Sequence, residues 1–289
     1  MKKFLFTILA CLANAFLSYG QDGFVAGNPE LAYWQVGKEK ETVIVLHGGP
    51  AAQHAYLRPE FDALSKVAKV IYYDQRGCGK SAKADTYIWQ EHVKDLKRVI
   101  KILGQDKKVY LAGSSWGSTL AMIYAYIHPE DVKGLILSGT YRWEGEAMTP
   151  YAYSIYQRDI LPSRLVSNKI RLREQKLVQY KAKNGQLIDT LISINKEAEI
   201  YTGYPQTETR KSFVTAPLSD SLKKIMLPVL LFNGTEHCEI EDWGEQYAKL
   251  LPQAELYTII GACHDPWFSN PENFFNQCKV FIKRITNSN

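Results

Sequence analysis

The sequence predicts an α/β protein in which a mostly parallel, doubly wound sheet carries a helical cap as an insertion. Short runs of β-branched and apolar residues alternate with helical segments in both the first and the last parts of the chain. This alternation stops after residue 138 and resumes near residue 226, and the intervening stretch is helical in composition and rich in tyrosine. We therefore expect a core of residues 21–138 and 226–289 and a cap of residues 139–225.

Each element of the core follows from its local pattern. Strands need short apolar runs, whereas helices need apolar residues at helical spacing and residues that permit a start and a stop. The predicted strands are residues 31–36, 42–46, 67–73, 109–112, 132–138, 229–233 and 256–260. The predicted helices are residues 89–103, 118–127, 241–251 and 273–285.

Length and composition limit the possible functions. The chain has 289 residues, 46% of them hydrophobic, which is enough for one large core with an insertion. A net charge of +5 does not indicate binding to nucleic acid. The sequence GCGKS at 77–81 lacks the spacing of a phosphate loop, and the cysteines do not follow a zinc-binding pattern. We expect no cofactor and no metal, and a small molecule or short peptide as substrate; the sequence does not indicate an oligomeric state.

The first 20 residues have the pattern of a secretory signal. Lys2 and Lys3 precede an apolar run at 4–17, and small residues follow up to Gly20, after which we expect cleavage. The run is shorter than the roughly 20 residues of a spanning helix, so no membrane span is expected. An alternative is a lipoprotein signal with Cys11 acylated, although the apolar run ahead of Cys11 is very short. Either signal predicts export to a periplasm or cell surface.

A G-x-S-x-G motif joins a predicted strand to a predicted helix. It comprises residues 113–117, with Ser115 at its centre. In this context the serine lies on a sharp, strained turn, and Gly113 and Gly117 avoid collisions because they have no side chains. Ser115 is thus the candidate nucleophile, and the N–H of Trp116 can donate to an oxyanion at the positive end of the following helix. An ordinary glycine- and serine-rich turn is the alternative.

Three further loops follow predicted strands. HGGP at 47–50 can supply a second oxyanion donor, which we assign to Gly49, with His47 as a structural brace. In the loop at 74–81, Asp74 and Arg76 are expected to pair and Ser81 to cap the next element. His264, after the last strand, is the candidate general base.

Taken together, these motifs resemble the α/β-hydrolase-fold proline iminopeptidases. The matching pieces are HGGP at 47–50, DQRG-x-G-x-S at 74–81, GSSWGS at 113–118 and GA-x-H at 261–264. The resemblance implies the α/β-hydrolase fold, with Ser115 as nucleophile, His264 as base and the backbone around Gly49 and Trp116 as oxyanion hole. It also implies release of an N-terminal proline and binding of the substrate amine by cap glutamates, for which the candidates are Glu144, Glu146, Glu197 and Glu199.

The sequence departs from the family pattern at three positions. Ala51 replaces a glycine after HGGP, Cys263 replaces a glycine before the base, and His237 stands where the family has its triad aspartate. Four acids surround His237, two of which, Glu241 and Asp242, are expected to begin a helix. The segment up to Pro252 is about one residue shorter than the family pattern.

Because the segment is shorter, we expect the triad acid one residue before position 237. The extra methylene of a glutamate there can restore its reach to His264. The sequence therefore predicts Glu236 as the triad acid, with Glu239 as the alternative. We expect a secreted serine hydrolase that cleaves a small amide or ester through an acyl-enzyme, most simply an aminopeptidase for N-terminal proline or a small apolar residue. The alternatives are an esterase or lactonase on the same scaffold, and a non-catalytic ligand-binding protein.

A disulfide between Cys238 and Cys263 would tie together the loops expected to carry the acid and the base. In an oxidising compartment this bond is possible, and two unpaired, partly buried thiols are the alternative. The mature chain keeps four cysteines, so the disulfide predicts two free thiols when unreduced, denatured protein is titrated. A count of four would exclude the bond.

Overall fold

The structure is a computed structural model that describes residues 21–50, 52–141, 203–213, 216, 219–235, 243–262 and 264–288. Its framework is one eight-stranded sheet with the order β1-β2-β4-β3-β5-β6-β7-β8. The strands are β1 Gly23–Val25, β2 Leu31–Val36, β3 Thr42–Leu46, β4 Lys69–Tyr73, β5 Val109–Ser114, β6 Val132–Ser138, β7 Val229–Gly234 and β8 Ala254–Ile259.

The sheet is parallel from β4 to β8 and antiparallel at one edge. β1 pairs with β2 and β2 with β4 in antiparallel register, whereas the other pairs are parallel. After β3 the chain moves to one side for β4 and then to the other side for β5. At such a switch point the loops diverge and leave a crevice at the carboxyl ends of the strands. The strand order thus makes the ends of β3 and β5 the place to look for a candidate site.

Helices cover both faces of the sheet. The described helices are α1 Trp89–Leu103, α2 Trp116–Ile127, α3 Gly203–Ser212, α4 Ser219–Leu222, α5 Gly244–Leu250, α6 Pro266–Ser269 and α7 Pro271–Asn287, with 3-10 segments at His54–Leu57, Glu60–Lys66 and Pro129–Asp131. Along β3, Ile44 and Leu46 join the core under α1 and α2, while Val43 and Val45 join the core under α7. This alternation is the signature of a sheet buried on both faces. None of the described helices is long and apolar enough to cross a membrane.

The predicted elements of the core are confirmed, with differences at their ends. β2, β3, β6 and α1 have the predicted bounds, and the α/β-hydrolase fold class is correct. β1 was not expected, because three residues carry too little pattern. β4 begins at Lys69 instead of residue 67, since the preceding 3-10 segment runs to Lys66. α7 begins earlier than predicted, at Pro271, where the Asn270 side chain accepts the N–H of Asn273 as a helix cap.

Several predictions fall outside the described residues. These are the signal at 1–20, most of the cap at 142–202, the acids Glu236 and Glu239, and the pair Cys238 and Cys263. Cys78 and Cys278 are buried, and neither forms a disulfide within the described part of the chain.

Helix α2 crosses the sheet at very short range. A Cβ on Gly117 would lie 2.1 Å from the carbonyl oxygen of Leu46, and one on Gly113 would lie 2.5 Å from the backbone of Gly117. Real Cβ atoms do not approach backbone atoms so closely, so any side chain at either position would push α2 away from β3 and β5. The two glycines of the motif are therefore required by the packing of the helix on the sheet.

Gly117→Ala should destabilise the protein by about 2 kcal/mol or more, because neither the helix nor the strand can yield locally. Gly244→Ala is the matched control, since its Cβ would meet only Asn233 atoms at 3.3 Å and beyond. Urea unfolding of both variants measures the difference. Equal midpoints for Gly117→Ala and the wild type would contradict the packing argument.

Candidate active site

Ser115 occupies a strained turn between β5 and α2. Its φ is 56° and its ψ is −122°, a conformation that is rare for a residue with a side chain. The Ser115 N–H donates to the Ser138 carbonyl at 3.0 Å, and the half-buried side chain lies at the start of α2. The strain predicted for this position is therefore confirmed, and the turn is held from the neighbouring strand β6.

The glycine turn after β3 lies directly against Ser115. A Cβ on Gly48 would lie 3.0 Å from the Ser115 Cβ, and Gly49 has a φ of 118°, which favours glycine. Among the described residues, none accepts a hydrogen bond from the N–H of Gly49 or of Trp116. These two N–H groups, the expected oxyanion donors, are thus both unengaged within the described part of the chain and belong to loops in contact.

His264, which follows β8, contacts the backbone just after the end of β6. It is 4% exposed. A Cβ on Gly139 would lie 2.5 Å from the His264 carbonyl oxygen and 3.2 Å from its Nε2, so the imidazole packs on the backbone that follows Ser138. Because Ser138 also holds the Ser115 N–H, the structure brings the predicted nucleophile and the predicted base to one short segment of backbone.

The loops after β7 and β8 meet, as expected for loops that carry an acid and a base. The N–H of Gly261 donates to the Thr235 hydroxyl at 2.9 Å. Thr235 immediately precedes Glu236, and Gly261 lies three residues before His264. The predicted acid therefore directly follows a residue that contacts the histidine loop, while its own side chain lies outside the described residues.

His47 braces the glycine turn, as predicted. Its Nε2 accepts the Gln75 N–H at 3.0 Å, so Nδ1 carries the proton and donates to the Gly48 carbonyl, also at 3.0 Å. Burial lowers the pKa of His47 to about 4, which keeps the imidazole neutral near pH 7. A neutral ring with both nitrogens engaged has a structural role here.

Gln75 connects the glycine turn after β3 to the G-x-S-x-G turn at 113–117, called here the nucleophile turn. Its Nε2 donates to the His47 carbonyl at 2.8 Å, and its Oε1 accepts the indole N–H of Trp116 at 2.7 Å. The side chain is 1% exposed. We did not anticipate this bridge, although Gln75 belongs to the DQRG motif, because its role depends on where two separate loops end.

The expected pairing of Asp74 with Arg76 is wrong. The Asp74 carboxylate accepts hydrogen bonds from the His54 ring at 2.8 Å and from the Lys80 N–H at 2.8 Å. Arg76 instead donates to Asp95 of α1 at 2.8 Å. The chain turns after β4, so Asp74 faces the 3-10 segment that carries His54, whereas Arg76 faces α1. Each buried ion pairs with the polar groups nearest to it.

Ser81 also differs from its expected role. Its hydroxyl donates to the Asp74 carbonyl and accepts the N–H of Ala32 at 3.0 Å. It therefore ties the loop to β2 and does not cap a helix, since the residues after it form no helix until α1.

Helix α3, near the end of the predicted cap, borders the site. The ring of Phe213 stacks on Trp116 at 5.2 Å, and the Arg210 guanidinium donates to the Gly49 carbonyl at 3.2 Å. Thr209 Oγ1 donates to the Tyr87 carbonyl at 2.6 Å. The sequence did not point to these residues. The contacts place α3 over both loops that carry the expected oxyanion donors.

In the described ranges, His128, Glu130 and Asp131 form a group with the geometry of a metal site. The Lys97 ammonium lies 2.6 Å from Asp131 and 3.3 Å from Glu130, so one positive charge already pairs with these two acids. The group precedes β6, at the opposite end of the sheet from Ser115. It takes no part in the candidate site.

Comparison with known proteins gives a consistent family assignment. The family model described as "alpha/beta hydrolase fold" matches residues 41–271. A proline iminopeptidase of Lactobacillus delbrueckii subsp. bulgaricus is 42% identical over 267 residues, covering 79% of this chain and 85% of that protein. A proline iminopeptidase of Thermoplasma volcanium is 38% identical over 128 residues, which span 43% of each chain.

Solved structures share the fold at lower sequence identity. The crystal structure of a Mycobacterium smegmatis proline iminopeptidase superposes with a TM-score of 0.70 at 20% identity, covering 92% of this chain and 99% of that one. Est816, described as an N-acyl homoserine lactone degrading enzyme, superposes with a TM-score of 0.68 at 21% identity, covering 90% of this chain and 100% of that one. At these identities both superpositions show a shared fold.

Proposed function

Because this chain belongs to the α/β-hydrolase fold family of proline iminopeptidases, we propose that it is a serine hydrolase that releases N-terminal proline, or another small apolar residue, from short peptides. The observation that carries the proposal is the juxtaposition of Ser115 and His264. The strained Ser115 and the His264 imidazole both pack against the backbone at Ser138 and Gly139. A strained serine and a histidine that share one short segment of backbone are the residue types that nucleophilic acyl transfer requires.

The proposed mechanism proceeds in two acyl-transfer steps. Ser115 Oγ attacks the scissile carbonyl while His264 takes the hydroxyl proton, and His264 then returns this proton to the leaving amine as the C–N bond breaks. A water molecule, deprotonated by His264, then attacks the resulting ester; the bond from the acyl carbon to Ser115 Oγ breaks, His264 returns the proton to Oγ, and the free amino acid leaves. In both steps the negative charge develops on the carbonyl oxygen. The N–H groups of Gly49 and Trp116 would stabilise this charge by about 3 kcal/mol each.

An esterase or lactonase is the second candidate. It is supported by the solved structures of that class, such as Est816, that superpose on this chain. The same serine and histidine serve either reaction, and only the leaving group differs. The four glutamates suggested as anchors for a substrate amine, Glu144, Glu146, Glu197 and Glu199, all lie outside the described residues. Higher identity to proline iminopeptidases, 42% over most of the chain, supports the aminopeptidase.

Export by the signal at 1–20 stays a prediction.

Ser115→Ala should remove all but residual turnover, about 10³-fold or more in kcat, and leave the melting temperature nearly unchanged. The measurement is hydrolysis of proline p-nitroanilide, p-nitrophenyl acetate and an N-acyl homoserine lactone by wild type and variant. A fluorophosphonate probe followed by mass spectrometry should label Ser115 in the wild type only. Ser114→Ala is the control for labelling of the neighbouring serine. If the probe labels another residue, or none, Ser115 is excluded as the nucleophile. The substrate that the wild type hydrolyses fastest distinguishes the aminopeptidase from the esterase or lactonase.

Two conservative variants test which glutamate is the triad acid that pairs with His264. Glu236→Gln is expected to lower kcat by orders of magnitude with little change in melting temperature, because a carboxylate must stabilise the imidazolium of His264. Glu239→Gln should have a mild effect. If Glu239→Gln is the crippling change, Glu239 is the acid; if neither variant loses activity, the acid lies on another loop or the enzyme uses a Ser–His dyad.

A further inference from the structure

Tyr56 lies between three loops of the candidate site. The N–H of Gly48 donates to the Tyr56 hydroxyl at 2.7 Å, and this hydroxyl donates to Ser114 Oγ at 3.2 Å. The phenol ring also lies 6.5 Å from the ring of Trp267, three residues after His264. One side chain thus contacts the glycine turn, the nucleophile turn and the segment that carries the expected base.

The Tyr56 hydroxyl and the Ser115 side chain both lie against Gly48. A Cβ on Gly48 would lie 3.0 Å from the Tyr56 hydroxyl and 3.0 Å from the Ser115 Cβ, so both border the same small volume. Tyr56 is half-buried, whereas Ser114 is 1% exposed. The hydroxyl therefore sits at the edge of the site and rests on a buried group of β5.

The hydrogen bond from Gly48 decides which N–H of the turn is available. Gly48 and Gly49 are consecutive, and either N–H could serve an oxyanion. The Tyr56 hydroxyl accepts the first, and no described residue accepts the second. A turn with two glycines has wide conformational freedom, so this tether restricts a segment that the backbone alone would leave loose.

We propose that Tyr56 is a positioning residue whose hydroxyl holds the glycine turn against the nucleophile turn, so that the N–H groups of Gly49 and Trp116 converge on one oxyanion. This inference rests on the proposed function, because the oxyanion belongs to that reaction. Oxyanion donors act only when they are aligned before the charge develops, and an error of about 1 Å can cost about 10²-fold in rate.

The direction of the two hydrogen bonds supports this role. Ser114 pairs with Ser138 in the β5–β6 register, so the group that receives the Tyr56 proton is fixed by the sheet. With its proton directed at Ser114, the phenol oxygen presents a lone pair to the Gly48 N–H. The hydrogen bonds of Tyr56 thereby fix the glycine turn relative to β5, the strand that also positions Ser115.

The test is Tyr56→Phe, which keeps the ring packing on Trp267 and removes the hydroxyl. We expect kcat for a prolyl substrate to fall about tenfold or more while KM changes less than about twofold. A prolyl boronate, whose tetrahedral adduct occupies the oxyanion hole, should lose affinity by a similar factor, whereas product inhibition by proline should not change. Wild-type kcat and wild-type boronate affinity would overturn the proposal.

Tyr257→Phe is the matched control. Tyr257 is also half-buried, and its hydroxyl donates to Asn273 at 2.9 Å, between β8 and α7. Loss of this hydroxyl should leave kcat and boronate affinity unchanged. Melting temperatures of both variants verify that the fold is intact.

A second measurement does not depend on activity. In glycine-selective ¹⁵N NMR spectra, Tyr56→Phe should accelerate hydrogen exchange of the Gly48 amide and shift the Gly49 resonance. Unchanged exchange at Gly48 would overturn the proposal even if activity fell. If the wild type hydrolyses no substrate and no probe labels Ser115, the proposed function fails, while Gly48 exchange still decides whether Tyr56 holds the turn.

Discussion

The close contact of α2 with the sheet is the constraint on which the candidate site depends. Helix α2 starts one residue after Ser115 and passes over β3 at a distance that leaves no space for a Cβ on Gly117. The chain can make this turn only if Ser115 adopts a positive φ, a strain of about 1–3 kcal/mol that the packing on both sides sustains. The position of the candidate nucleophile is therefore a consequence of how a helix packs on two strands.

Buried polar groups hold the loops around this turn. Gln75 connects the His47 carbonyl to the Trp116 indole, and Tyr56 connects Gly48 to Ser114. The Gln75 bridge joins loops that follow β3, β4 and β5, and the Tyr56 bridge joins the connection after β3 to the last residue of β5. Since a buried polar group without a partner is costly, the loops are stable only in the arrangement that satisfies all of these groups together.

Much of the fold could be read from the sequence because its signals are local. The bounds of β2, β3, β6 and α1 follow from apolar runs and helical spacing. The apolar residues that recur at helical spacing along α1 are all buried: Val93, Leu96, Val99, Ile100 and Leu103. Ser115 and His264 could be chosen as candidates for the same reason, since each stands at a recognisable place relative to a strand, and their catalytic roles stay predictions. The pairing of Asp74 was not predictable, because His54 approaches it from a 3-10 segment whose path no local pattern reveals.

The sequence by itself thus determined the order of strands and helices, the G-x-S-x-G turn and the histidine after the last strand, because periodicity and glycine spacing act over a few neighbouring residues. Only the tertiary structure decided which side chains join the loops. Tyr56 and Ser114 are 58 residues apart in the chain, and Arg210 and Gly49 are 161 apart. Such contacts depend on where the sheet order brings the strand ends, and that order results from the packing of the whole chain.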